Sequence, residues 1–242
     1  MVGRSNSGRR ATLSVLICLL FYLACVSLPG FAGIDQNNVV GAMRFLLLPF
    51  AFYLLFQDIG IPKTSSVRNM AICIPLLFMA APNMLSLLSK KDLSFDGTHI
   101  LEGLIFSLGT ALAEETIFRF GIIEAIKSTK LSKLDILLSS FIFGLAHLLS
   151  ILAGANPMGA FIQAGYSFSL GLLLGIAYKI GGLVPAIIIH YLFNFFQNDL
   201  YTAFGNTEWD LPFYVLNITF YALCLGYASF LYLRKKKCIE KL

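Results

Sequence analysis

Leu104-Ile105-Phe106-Ser107-Leu108-Gly109-Thr110-Ala111-Leu112-Ala113-Glu114-Glu115-Thr116-Ile117-Phe118-Arg119-Phe120-Gly121-Ile122-Ile123 carries formal charge only at Glu114, Glu115 and Arg119. A segment this apolar reads as a buried or membrane helix, and each ionisable group at bilayer depth costs about 2.5–3.5 kcal/mol or more. Such groups persist where they do something, so a buried functional site is the first hypothesis.

The rest of the chain supports a membrane setting. Of its 242 residues, 57% are hydrophobic and 13% charged, and the mean hydropathy is +0.78. Soluble domains run nearer a quarter charged. Apolar runs of about 20 residues, punctuated by polar or Gly/Pro clusters, predict an all-α polytopic membrane protein of about eight spans. The spans are 11–29, 39–57, 68–89, 99–123, 134–153, 158–179, 183–201 and 211–233. They group into N-terminal helices (1–98), a helical core (99–201), and a last helix with a basic tail (202–242). Gly171 and Gly175 on the sixth span form a small-xxx-small pair suited to close helix packing.

Charge sets the expected orientation. Arg4, Arg9, Arg10, Lys63, Arg68, Lys127, Lys130, Lys133, Lys179, Arg234 to Lys237 and Lys241 fall on one side of this topology. The other side holds Lys90 and Lys91, and later Asp199, Glu208 and Asp210. By the positive-inside rule both termini are cytoplasmic. The run Ala11–Leu28 behind three arginines also resembles a secretory signal, but no A-x-A site follows, and it is expected to be a retained helix. The net charge of +5 forms no groove-like patch, so nucleic acid is not an expected partner. The five cysteines (Cys18, Cys25, Cys73, Cys224, Cys238) stand singly, which argues against a disulfide framework or a zinc finger.

Helical spacing sorts the polar groups. Glu115 and Arg119, at i and i+4, share a face and neutralise each other. Glu114 lies about 100° round an ideal helix and is the better candidate for a general base. Phe143 and His147 are likewise i and i+4 on the fifth span, and His190 and Asn194 on the seventh. Asn194 and His190 offer N–H donors for an oxyanion, and His147 can orient a water or share its proton with Glu114. Arg44, His99 and Glu102 are read as structural or solvated groups, and Trp209, Tyr201, Tyr214 and Tyr232 as interfacial anchors.

Glu-Glu-x-x-x-Arg, Phe-x-x-x-His and His-x-x-x-Asn, in that order on successive apolar helices, resemble the CPBP family. This is the CAAX protease and bacteriocin-processing (Abi) family, which includes the type II CAAX prenyl endopeptidases. The resemblance covers about residues 100–200 and departs from the pattern at none of its motif positions. It implies an intramembrane endopeptidase of a bacterial cytoplasmic membrane that acts on a membrane-anchored or hydrophobic peptide. In those terms Glu114 and His147 activate a water, His190 and Asn194 form the oxyanion hole, and Glu115, Arg119 and Phe143 support them. No cofactor is expected. The alternative is zinc held by Glu114, His147 and His190, a known catalytic ligand type, though the chain has no H-E-x-x-H. Two rival functions share the same residues: a non-catalytic immunity or scaffold protein, and a proton-coupled transporter.

Overall fold

The computed structural model describes residues 2–31, 36–62, 69, 71, 73–81, 97–127, 134–152, 154–196 and 211–239. Among these it is all-helical, as the apolar runs predict. The elements are α1 (Val2–Phe31), α2 (Gln36–Ile59), a 3-10 segment (Ile74–Ala80), α3 (Gly97–Glu114), α4 (Asp135–His147), α5 (Pro157–Gly181), α6 (Leu183–Asn194) and α7 (Leu211–Ile239). α3 continues into a π-helical segment (Glu115–Ile123) and an α-helical turn (Glu124–Lys127), while α4 ends in a 3-10 turn (Leu148–Ile151).

Every predicted span except the third overlaps one of the α-helices. Of the third, only Asn69, Ala71 and the 3-10 region from Cys73 to Ala81 are described. Among the described residues, Pro157–Gly181 is the one helix both long and apolar enough to cross a membrane by length and composition. It coincides with the sixth predicted span, whose glycines dilute its hydropathy without shortening it. Leu47–Ile59, Asp135–Ile151, Leu183–Asn194 and Ile218–Arg234 are shorter apolar helices. Most of the orienting charges, including Lys63, Arg68, Lys90, Lys91, Lys130, Lys133, Asp199, Glu208 and Asp210, lie outside the described residues, as do Tyr201 and Trp209. So do the side chains of Arg4, Arg44, His99, Tyr214, Lys235 to Lys237 and Cys238.

Packing divides the chain into two compact units that interleave in sequence: Met1–Lys63 with Leu112–Gly175, and Thr64–Ala111 with Ile176–Leu242.

In the first unit α1 and α2 lie against each other, and both touch the π segment. Buried Ser14 of α1 donates its hydroxyl to Asp58 at the end of α2. Gly121 lies close to both helices: a Cβ there would stand 3.3 Å from Val15 Cγ2 and 3.4 Å from Leu55 Cδ1. Phe120 next to it meets Phe56 edge to face at 5.5 Å. α4 and α5 meet along small residues. A Cβ on Gly144 would fall 2.8 Å from the Ala164 carbonyl oxygen, one on Gly171 2.9 Å from Ser140 Cβ, and one on Gly175 2.7 Å from Ile136 Cγ2. The small-xxx-small pair is therefore a packing seam, since only a missing side chain lets the two backbones come this close.

In the second unit α6 starts at Gly182, whose φ of 85° is a conformation that side-chain-bearing residues rarely adopt. The 3-10 segment packs on α6 and α7, and Phe193 of α6 meets Tyr221 of α7 edge to face at 5.8 Å. The described cysteines Cys18, Cys25, Cys73 and Cys224 are buried, and Cys73 donates to the carbonyl oxygen of Asn69.

Candidate active site

The charged run lies where the helix changes type. Glu114 is the last residue of α3 with α-helical dihedrals (φ −69°, ψ −45°), and from Glu115 to Ile123 the chain is π-helical and wholly buried. A π-helix closes i→i+5 hydrogen bonds, is rarely longer than one turn, and tends to occur at functional sites. Its wider turn displaces the residues of the segment from the angular positions of an ideal α-helix. The 3.6-residue wheel that separates Glu114 from Glu115 and Arg119 therefore describes only the approach to the site.

The pairing read from that wheel nevertheless holds. Arg119 Nε stands 3.1 Å from Glu115 Oε2, with both side chains at most 1% exposed. The contact is an ion pair rather than an aligned hydrogen bond. The guanidinium carbon lies 4.4 Å from the centroid of the Phe143 ring, a cation–π contact that is strengthened when water is excluded. Arg119 is also within electrostatic reach of Glu114 and Tyr22. Phe143, a supporting residue by its motif position, thus carries the cation on its face. Among the described residues no group hydrogen-bonds Arg119 Nη1 or Nη2, or Thr116 Oγ1.

Glu114 is 2% exposed, and its Oε1 accepts a hydrogen bond from the hydroxyl of Tyr22 on α1. Tyr22 is 3% exposed, and its ring stands edge-on to Phe118 at 5.7 Å. Sequence reasoning missed this residue. Its only signal is a phenol inside an apolar run, which by itself reads as an ordinary aromatic.

His147 closes α4, half-buried. Its Nδ1 lies 2.9 Å from the carbonyl oxygen of Phe143, one turn earlier. A carbonyl only accepts, so Nδ1 carries the proton and Nε2 is the basic nitrogen. The imidazole packs edge-on to Phe143, with centroids 4.8 Å apart and planes at 86°. Phe143 in turn meets Phe118 at 5.0 Å. One row of rings, Tyr22–Phe118–Phe143–His147, thus links the residue that holds Glu114 to the histidine. Ser139 of α4 ties the same helix to the π segment by donating to the Phe118 carbonyl at 2.5 Å.

His190 and Asn194 belong to the second unit. They lie on α6 at i and i+4, His190 buried and Asn194 half-buried. Glu102 is half-buried on α3, and Lys127 pairs with Glu124 at 3.1 Å. Among the described residues no three His, Cys, Asp or Glu side chains gather in a way that would hold a metal ion.

Comparison with known proteins gives one match. Residues 96–196 fit the family model described as type II CAAX prenyl endopeptidase Rce1-like. No curated protein and no solved structure matches the chain. The matched segment opens at α3 and ends just past α6, so it contains Glu114, Glu115, Arg119, Phe143, His147, His190 and Asn194. This is a family of membrane-embedded proteases, in line with the apolar composition of the chain. Residues 96–196 of this chain are therefore similar to the type II CAAX prenyl endopeptidase Rce1-like family, the CAAX-protease family that its three motifs resemble.

Proposed function

We propose that the protein is a multi-pass intramembrane endopeptidase in which Glu114, with His147, activates a water for direct attack on a peptide carbonyl. Glu114 takes a proton from the water as its oxygen bonds to the carbonyl carbon, and the carbonyl electron pair moves onto oxygen. The tetrahedral intermediate then collapses, its C–N bond breaks, and the proton is delivered to the leaving amine. His147 Nε2 hydrogen-bonds the water and shares its proton. His190 and Asn194 donate to the oxyanion, a role assigned from the order of the motifs rather than from distances.

The observation that carries this reading is the row of rings Tyr22–Phe118–Phe143–His147, which runs from the phenol on Glu114 to the histidine. Arg119 pairs with Glu115 and rests on the face of Phe143, and Glu114, within electrostatic reach of Arg119, accepts a hydrogen bond from Tyr22. A buried carboxylate whose orientation is held by a hydrogen-bond donor is set to exchange a proton with a water beside it. His147, with its proton on Nδ1, presents the basic Nε2 that water activation needs.

The substrate class we assign is a membrane-anchored or hydrophobic peptide, such as a prenylated tail, a peptide leader or a small membrane protein. The same reading keeps the eight-span topology with both termini cytoplasmic, in a bacterial cytoplasmic membrane. The testing substitution is Glu114→Gln, which preserves shape and removes the base. Loss of about 10²-fold or more in peptide processing is expected. Processing at the wild-type rate would refute the peptidase mechanism and favour a scaffold.

A further inference from the structure

Tyr22 lies outside the matched residues 96–196 and outside all three motifs, yet its hydroxyl is on Glu114. We propose that Tyr22 is a positioning residue for the catalytic carboxylate, an inference that rests on the reading of Glu114 as the general base.

A phenol donates one hydrogen bond of defined direction, and a carboxylate has two oxygens in one plane. The bond to Oε1 restricts the rotation of that plane and so the directions open to the second oxygen. Productive proton transfer needs that direction held to within a narrow range of angles. The ring of Tyr22 is itself held: it is 3% exposed and set edge-on to Phe118, which meets Phe143, which meets His147. The row of rings that locates the phenol therefore also locates the histidine, and a single packing arrangement orients both proton-handling groups. α1, which lies more than 60 residues before the matched segment, supplies part of the catalytic geometry.

A buried tyrosine also needs a partner for its hydroxyl for reasons of stability alone, so the test must separate positioning from packing. The full-length protein is purified as wild type, Glu114→Gln, Glu114→Asp, Tyr22→Phe, Tyr22→Phe with Glu114→Asp, and Ser14→Ala. Ser14→Ala removes a different buried hydrogen bond from the same helix, the one to Asp58. Infrared difference spectra of wild type against Glu114→Gln isolate the Glu114 carboxyl band, and Tyr22→Phe is expected to shift it while Ser14→Ala does not. Peptides that accumulate uncleaved in membranes carrying Glu114→Gln then serve as turnover probes. Tyr22→Phe is expected to lower kcat about tenfold or more, the scale of one hydrogen bond to a charged group, with KM little changed. Adding Tyr22→Phe to Glu114→Asp should cost nothing further, because the shortened carboxylate has already lost the contact.

An unmoved carboxyl band, or Tyr22→Phe turnover at the wild-type rate, overturns the inference. So does an equal loss in Ser14→Ala, which would make the role one of helix packing. If Glu114→Gln is inactive and Tyr22→Phe is fully active, only the positioning role fails. If Glu114→Gln processes normally, the peptidase reading fails and the inference fails with it.

Discussion

Arg119 holds its guanidinium carbon 4.4 Å above the ring of Phe143, so a charge from the π segment rests on an aromatic face from α4. With Glu115 on its Nε, the cation touches both a carboxylate and a ring quadrupole. Taking one partner from a buried pair leaves the other charge uncompensated. Arg119→Met or Glu115→Ala is therefore expected to destabilise the protein by about 3–5 kcal/mol. The double substitution should cost less than the sum of the two. Phe143→Leu keeps the pair but loses the cation–π contact, about 0.5–2 kcal/mol, together with the ring packing. Unfolding in detergent micelles, by heat or denaturant, measures all four variants.

The glycines of α4 and α5 should divide into two classes. At Gly144 an added Cβ meets a backbone carbonyl at 2.8 Å, and at Gly175 it meets Ile136 at 2.7 Å. Alanine there forces the helices apart, with an expected loss of about 1–3 kcal/mol. At Gly165, on the same α5, nothing lies within 4 Å of the new Cβ. Gly165→Ala should be neutral or stabilising by about 0.5–1 kcal/mol, because it removes only the backbone freedom of glycine. The same unfolding assay decides this, and equal losses at the two kinds of site would contradict the seam.

His147 is expected to be the Nδ1–H tautomer, bonded to the Phe143 carbonyl. Nitrogen NMR of the protein labelled at histidine reads this directly, with His147→Gln to assign the signal. The same substitution should lower kcat about 10²-fold or more while leaving the fold intact, since the side chain is only half-buried.

His190→Ala and Asn194→Ala are each expected to lower kcat about 10²-fold with little change in KM, the pattern of groups that act on the developing oxyanion. A rise in KM alone would move them to substrate binding.

Processing activity should survive exhaustive treatment with a chelator. Loss of activity that zinc restores would instead make Glu114, His147 and His190 metal ligands and replace the metal-free mechanism.

Much of the molecule is legible in one dimension because its signals are local. Hydropathy over about 20 residues marks helices, and it located α1, α2, α5 and α7 to within several residues at most ends. Spacing of i and i+4 paired Glu115 with Arg119 and set Phe143 beside His147, because both relations are made within one helix. The glycines Gly171 and Gly175 announced a close contact without naming Ser140 and Ile136 as the residues met.

What only the tertiary structure decided involves residues far apart in the chain or backbone shape set by packing. The π segment begins one residue after Glu114, and its hydrogen-bond register is not written in side-chain periodicity. Tyr22 reaches Glu114 across 92 residues, a contact created by α1 packing on the π segment. The sequence alone determined that charges lie buried in apolar helices, since composition sets the cost of placing them there. Which of them accepts a hydrogen bond from a phenol, and which rests on a ring, depends on where helices distant in the chain come together.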